Sequence, residues 1–300
     1  MVPEPKTGPE PDPFQHTRMS LGEHLEELRR RLFRGILAVA IAFGVSWGFH
    51  DRIDRWMLWP LETSVGWLNA KRTEDAERYL AEHPETPRSE LFLGDDPSDR
   101  RLRKAYDANP QQIGIGEGFF FSFKNAAWFA LFLGAPVLLW QMWGFIAAGL
   151  YERERRMVMR YFPASLALFA AGVLASFFVM VPVGIYFLQL SGLDFALADF
   201  EPSLKEYMGF LTTTTLAAGA VFQLPLVMQV LIRLDIVPAD TFARYRRHCI
   251  VGCFLVSGVV TPSGDPASQA LMAVPMWLLY EAGIVAGRIA VRRQAREALA

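Results

Sequence analysis

The amino-acid sequence predicts an all-α polytopic membrane protein with six transmembrane helices and both termini in the cytoplasm. Three observations support this class. Of the 300 residues, 52% are hydrophobic, the uncharged apolar runs are longer than a soluble core requires, and the arginines cluster in alternate connections between those runs. The formal net charge of −1 gives no strong field that would attract nucleic acid, so no nucleic-acid partner is predicted.

The first predicted membrane helix begins in water. Ser20 and Glu23 have the spacing of a capping box, which predicts a helix start. Segment 36–49 carries no charge and is apolar almost all round, as expected of a helix surrounded by lipid. Between these two parts, leucines at helical spacing predict an apolar seam, formed by Leu21, Leu25, Leu28 and Leu32.

Six apolar segments are the predicted membrane spans, at residues 32–49, 119–148, 162–190, 207–232, 249–260 and 267–285. The last two are predicted to be short helices, because crossing the hydrocarbon core takes about twenty residues. A short span thins the bilayer locally or leaves polar ends dipping into it. The fifth span is therefore either an economical helix or a functional weak point in the membrane.

The orientation follows from the basic residues. Arginine-rich groups lie at positions 29–34, 153–160, 233–247 and 288–296, all on one predicted side. The two short connections on the opposite side contain a single basic residue, Lys205. By the positive-inside rule, the arginine-rich side is cytoplasmic and both termini lie there.

The predicted organisation is one membrane domain with polar additions. Residues 1–19 are predicted to be a disordered cytoplasmic tail, 20–293 the membrane domain, and 294–300 a second cytoplasmic tail. A polar insertion at about 61–112 lies on the outer side, where residues 75–81 and 98–108 are typical of short solvated helices. This insertion is either a small surface elaboration or a docking surface for an outer-side partner.

Four motifs follow one another along the chain. They are His24-Leu-Glu-Glu-Leu-Arg-Arg-Arg-Leu32, the segment 145–156, the turn 261–269, and the segment 273–283. In this order, on six spans, they resemble the TatC family, the multispanning core subunit of the twin-arginine (Tat) protein translocase. The resemblance implies a cup-shaped receptor in the cytoplasmic (inner) membrane of a prokaryote. It also implies TatA-like and TatB-like single-span subunits as partners in a multimeric complex within the lipid bilayer.

The resemblance further implies that Glu27 and Glu154 bind the paired arginines of a signal peptide. A carboxylate accepts the planar fork of a guanidinium in bidentate fashion, and lysine cannot reproduce that geometry. A second interpretation stays open, because neighbouring arginines predict intrahelical ion pairs at both glutamates whether or not they have a function. The supporting motif residues are His24, Leu25, Arg29, Arg31, Phe145, Tyr151, Arg155 and Arg156.

The implied function is that of a membrane receptor and scaffold, which binds twin-arginine signal peptides of folded precursor proteins. It would nucleate their export, driven by the proton-motive force. The alternative is a small-solute secondary transporter, which would need internal repeats and ionisable groups deep in several spans, and the sequence has neither. No catalytic residue, metal ligand or cofactor is predicted, and the chain is not expected to be an enzyme.

The sequence departs from the family pattern at Gln223, where a glutamate is usual. An amide cannot titrate, so its predicted role is either a hydrogen bond across helices or simple interhelical packing. On the outer side, the family pattern places Pro60 in a capping turn, and Asp265 and Gln269 in the turn between the last two spans. Asp265 is predicted to form that turn rather than to bind a ligand. Glu281 is expected to face water or to pair with Arg288.

Overall fold

The computed structural model describes residues 21–85, 116–195, 203–260 and 266–299, together with positions 108, 110 and 114. Every regular element in these ranges is a helix. Four helical stretches are long and apolar enough to cross a membrane, and a fifth is formed if a pair of helices bent by 90° counts as one span. The prediction of an all-helical, multi-pass membrane protein is therefore confirmed, while the count of six spans stays a prediction.

The described residues form α-helices that we number in chain order. They are α1 (Leu21–Trp47), α2 (His50–Met57), α3 (Trp59–Glu82), α4 (Glu117–Ala148), α5 (Glu152–Met159), α6 (Phe162–Ala175), α7 (Val181–Phe195), α8 (Leu204–Val221), α9 (Leu224–Arg233), α10 (Ala239–Arg244), α11 (Arg246–Val260) and α12 (Pro266–Leu299). A π-helical segment, Ser176–Met180, joins α6 to α7. The predicted tail 1–19 and the turn that holds Asp265 lie outside the described residues.

Helix α1 packs along α4, and small residues allow the two backbones to approach. A Cβ added at Gly35 would lie 2.9 Å from Leu138, and one added at Gly134 would lie 3.1 Å from Val39. Close contact through small residues is the usual way in which helices associate in lipid, where apolar side chains gain nothing by leaving the surrounding hydrocarbon.

The leucine seam predicted on α1 exists, but it faces away from the protein. Leu25 is 64% and Leu32 58% exposed, whereas His24, Glu27 and Arg31 are all less exposed and lie on an adjacent face of the helix. In a soluble protein the apolar seam would be buried. Here His24 and Arg31 contact α4, Glu27 pairs with Arg31, and the leucines face the surroundings.

Helices α1 and α2 meet at a 90° elbow, and α3 continues from α2 with Pro60 in its first turn. The N-terminal half of α3 is buried through Leu61, Val65 and Leu68, and the helix packs against α7. The start of the predicted insertion is thus one 24-residue helix fixed to the membrane domain. A helix is present at 75–81 as predicted, but the prediction that it is short is wrong. It is the last part of α3, which begins at Trp59 because apolar residues before position 75 are buried in the core. The predicted helix at 98–108 lies almost entirely outside the described residues.

Two of the apolar clusters in the described part of the chain lie at different ends of α4. One surrounds α2, α3, α7 and α8 and includes Leu61, Val181 and Leu211. The other joins α4, α5 and α9 through Trp143, Val158 and Val230. The second cluster packs beneath the loop between α4 and α5, which carries the second sequence motif.

The last two helices differ from each other in length. Helix α11 has 15 residues, as the short apolar segment predicts. The prediction that the last helix is also short is wrong, because α12 continues for 34 residues to Leu299 and includes most of the predicted tail 294–300. The apolar segment ends earlier, but nothing in the arginine- and alanine-rich sequence beyond it breaks a helix.

Candidate functional site

The first and second sequence motifs meet through two aromatic rings. The imidazole of His24, in the first turn of α1, stacks on Phe145 near the end of α4, with 4.4 Å between ring centroids and 28° between ring planes. His24 Cε1 also lies 3.8 Å from the position of a Cβ at Gly149, just after α4 ends. The start of α1 is thereby held against the turn that leads into α5, and both motifs belong to one end of the helix bundle.

Glu27 lies one helical turn beyond His24 and is paired with Arg31. The Arg31 Nε and Nη2 atoms lie 2.7 and 2.6 Å from the same oxygen, Glu27 Oε1. The Glu27 side chain is 19% exposed and that of Arg31 15%, so water has little access to the pair. The intrahelical pairing expected for Glu27 at i+4 is therefore present, while the expected partner at i+3, Arg30, is exposed.

Glu154 occupies the first turn of α5. Its Oε2 accepts a hydrogen bond of 3.1 Å from the backbone N–H of Tyr151, the residue that caps the helix. This bond satisfies a donor that the helix start would leave unpaired, and the helix dipole favours a negative charge there. The Glu154 side chain is partly exposed, and Arg155, Arg156 and Tyr151 are exposed beside it.

The supporting residues divide into two groups. His24, Arg31 and Phe145 contact other motif residues, as described above. Leu25 faces outward, and Arg29 forms an exposed ion pair of 3.1 Å with Glu26 rather than contributing to the Glu27 site. The structure therefore brings together only part of the predicted set. Chemically, the arrangement presents two carboxylates, one held by a guanidinium and one by a backbone amide, at one end of the bundle among exposed arginines.

Gln223 lies at the break between α8 and α9 and is 8% exposed. Its Oε1 accepts a 2.6 Å hydrogen bond from Ser165 Oγ, and its Nε2 donates one of 3.1 Å to the Ser165 backbone carbonyl. Ser165 is on α6 and is fully buried. The amide thus makes a hydrogen-bonded contact across helices, rather than apolar packing alone.

On the predicted outer side, Gln269 lies at the start of α12 against α11. Its backbone carbonyl accepts a 2.6 Å hydrogen bond from Ser257 Oγ, and its Nε2 lies 3.3 Å from the position of a Cβ at Gly258. Pro60 is buried at the start of α3, far along the chain from this turn. These contacts of Gln269 therefore hold the C-terminal end of the short helix α11 against the start of α12.

Two polar contacts escape prediction from sequence. Asp54 on α2 accepts hydrogen bonds of 2.6 Å from both Ser122 Oγ and Asn125 Nδ2 on α4, and Asn125 is fully buried. The only signal for this contact is a polar Asn125 inside an apolar segment.

Glu281 pairs with Arg246 at 2.8 Å. The expected pair with Arg288 is wrong, because α11 packs beside α12 and places Arg246 against Glu281, while Arg288 lies 3.5 Å from Asp240. The Glu281 side chain is 24% exposed, so it also faces water in part, as expected.

A family model described as Sec-independent protein translocase protein (TatC) matches residues 23–275. Among similar relatives, TatC of Deinococcus radiodurans is 30% identical over 291 residues, which cover 96% of this chain and 93% of the relative. TatC of Azotobacter chroococcum mcd 1 is 33% identical over 270 residues, covering 90% and 89%.

A third relative is longer than this chain. TatC of Halothiobacillus neapolitanus is 31% identical over 266 residues, and the match spans 88% of this chain but 61% of that relative. Among solved structures, a crystal structure of the twin arginine translocase receptor TatC is similar with a TM-score of 0.66 and 27% identity. That match covers 90% of this chain and 100% of the solved chain.

Proposed function

Because this chain belongs to the TatC family of Sec-independent protein translocase proteins, we propose that it is the receptor and scaffold of a twin-arginine translocase. It binds the signal peptides of folded precursor proteins and nucleates their export. Glu27 and Glu154 are the acceptors for the two signal-peptide arginines. The export is driven by the proton-motive force.

The observation that carries this proposal is the stack of His24 on Phe145, which joins the two glutamate-bearing motifs at one end of the bundle. Glu27 is one turn from His24 on α1, and Glu154 is in the first turn of α5. A pair of adjacent arginines needs two carboxylates that are held in place. In the unbound protein, Arg31 holds Glu27 and the Tyr151 amide holds Glu154. The bond from the Tyr151 amide pre-orders Glu154, which lowers the entropy lost when an arginine binds there.

The site would lie on the cytoplasmic side of a six-span protein with both termini inside the cell. Arg155, Arg156 and other basic residues surround the glutamates, and this charge also supports the orientation by the positive-inside rule. The chain would reside in the cytoplasmic membrane of a prokaryote with TatA-like and TatB-like single-span subunits. Its exposed apolar helix faces, such as the outward leucines of α1, provide surface for lipid and for such subunits.

Transport by variants of both glutamates tests the proposal. Glu27→Gln and Glu154→Gln preserve size and should each stop export of a folded twin-arginine reporter, because an amide has no negative charge and only one acceptor oxygen, so it cannot form a bidentate ion pair with a guanidinium. Sec-dependent export in the same cells should continue. Glu26→Gln and Glu152→Gln are matched controls, since each removes one carboxylate from the same helix.

Photocrosslinking gives an independent measurement. A photoreactive residue at position 23 or 28 should capture a twin-arginine precursor and not its twin-lysine counterpart. Normal export in both glutamine variants, together with equal crosslinking of the two precursors, would refute the assignment.

A further inference from the structure

The ion pair between Glu27 and Arg31 is unlike the other pairs of the same spacing in the described part of the chain. On α3, Arg78 and Glu74 are also four residues apart, but their side chains are 63% and 59% exposed. The Glu27 and Arg31 side chains are each less than one-fifth exposed, and two donors of Arg31 converge on one carboxylate oxygen. A pair so shielded from water is held more firmly than a solvated surface contact.

The fold also provides a place for the Arg31 guanidinium on the neighbouring helix. A Cβ at Gly144 of α4 would lie 1.9 Å from Arg31 Nη1 and 2.8 Å from its Cζ. Any side chain at position 144 would therefore push the guanidinium aside. Arg31 is thus fixed between α1 and α4, with its charge on the carboxylate that the proposed function assigns to the signal peptide.

We propose that Arg31 is a resident guanidinium that neutralises Glu27 until an arginine of the signal peptide displaces it, and that this competition lowers the affinity of the site for signal peptides. The inference rests on the proposed role of Glu27 as an arginine acceptor. Arg31 is then an autoinhibitory residue, acting as an internal competitor for Glu27.

The physical reason lies in what the incoming cation must replace. Arg31 donates one charge-assisted hydrogen bond from Nε to Glu27 Oε1, and its Nη2 lies 2.6 Å from the same oxygen. An arginine of the signal peptide offers the same planar group, so it gains from Glu27 little more than Arg31 loses. A lysine ammonium must displace Arg31 at the same cost, so the competition weakens the binding of both cations by one factor and leaves the difference between them unchanged.

Peptide binding to the purified full-length protein tests this competition. Two synthetic signal peptides, identical except for Arg-Arg or Lys-Lys, are titrated against the protein and its Arg31→Gln variant. We expect the variant to bind both peptides about tenfold more tightly, the equivalent of roughly one charge-assisted hydrogen bond, with the ratio of the two affinities unchanged. Arg78→Gln removes the arginine of an exposed pair with the same spacing and should leave both affinities unchanged.

Further variants separate the possible outcomes. Unchanged or weaker binding of the Arg-Arg peptide by folded Arg31→Gln protein would overturn the competition. Glu27→Gln tests the underlying function: if it leaves Arg-Arg binding intact, the proposed function itself fails. If Glu27→Gln weakens binding while Arg31→Gln does not tighten it, only the competition fails. Should Arg31→Gln not fold, Gly144→Ala crowds the guanidinium without removing its charge and should also tighten the binding of both peptides.

Discussion

The contact between Gln223 and Ser165 allows a quantitative test of what holds α6 against the α8–α9 break. Replacing Gln223 with methionine keeps the length of the side chain and removes both of its hydrogen bonds, the 2.6 Å bond from Ser165 Oγ and the 3.1 Å bond to the Ser165 carbonyl. Both residues are buried, so water cannot take the place of the lost partner.

The expected magnitude follows from the number of bonds. A hydrogen bond between membrane helices contributes about 0.6 kcal/mol on average and at most about 1.7 kcal/mol. Loss of two such bonds should therefore lower the free energy of unfolding by about 1 to 3 kcal/mol. Gln223→Glu should cost at least as much, because a carboxylate replaces the Nε2 donor with a second acceptor facing the Ser165 carbonyl.

The assay is unfolding of the purified protein in mixed micelles as the fraction of denaturing detergent is raised. Single variants Gln223→Met and Ser165→Ala are compared with the double variant in a double-mutant cycle. We expect a coupling energy of about 1 kcal/mol, because each single change removes the same Oγ–Oε1 bond. If the two single effects add to within about 0.3 kcal/mol, the side chains do not interact and the reasoning is refuted.

Three further predictions concern other contacts. Asp54→Ala should lower the free energy of unfolding by about 2 to 4 kcal/mol, since it leaves the fully buried Asn125 without its acceptor. The control is Asp51→Ala, which removes an exposed carboxylate from the same helix. A decrease in unfolding temperature no larger than that of the control would contradict the prediction. Gly172→Ala should lower the free energy of unfolding by about 1 to 3 kcal/mol in the same assay, because the added Cβ would lie 2.9 Å from the backbone oxygen of Ala218. A variant as stable as the wild type would contradict this close approach of the two helices. The 15 residues of α11 span only about 22 Å, whereas the hydrocarbon core is about 30 Å thick, so the helix thins the membrane around it. Four leucines inserted into α11 should remove this thinning and impair transport without weakening signal-peptide binding. Unchanged transport would mean that a thinned membrane has no role.

The fold class was predictable because it depends on composition and on periodicity, which are local properties. Uncharged runs such as 162–190 carry their own evidence for burial in lipid, and their helices appear in the structure with bounds close to those predicted. The ends of elements were less predictable. Helix α3 begins earlier than the solvated helix predicted within it, because Leu61, Val65 and Leu68 are buried against other helices. A single sequence contains no record of that contact.

The candidate site was predictable in its residue types and only partly in its geometry. Motif spacing identified Glu27 and Glu154, and helical spacing predicted that arginines would pair with Glu27. It did not decide between Arg30 and Arg31 as the partner. Gly144 on another helix favours Arg31, since the missing side chain there leaves room for its guanidinium. The Asp54 contact joins residues 68 and 71 positions apart, so no local pattern could reveal it.

By itself, the sequence determined that this protein is helical, lies in a membrane, and carries two glutamates in motifs that resemble those of TatC. These properties follow from the order of apolar, charged and turn-forming residues along the chain. Only the tertiary structure decided which face of α1 turns inward, which arginine occupies Glu27, and that Gln223 bonds to α6. Each of these depends on the distance between helices that are remote in sequence. Lipid around α1 leaves the leucines of its seam exposed, and the polar groups of α1 pair within the protein instead.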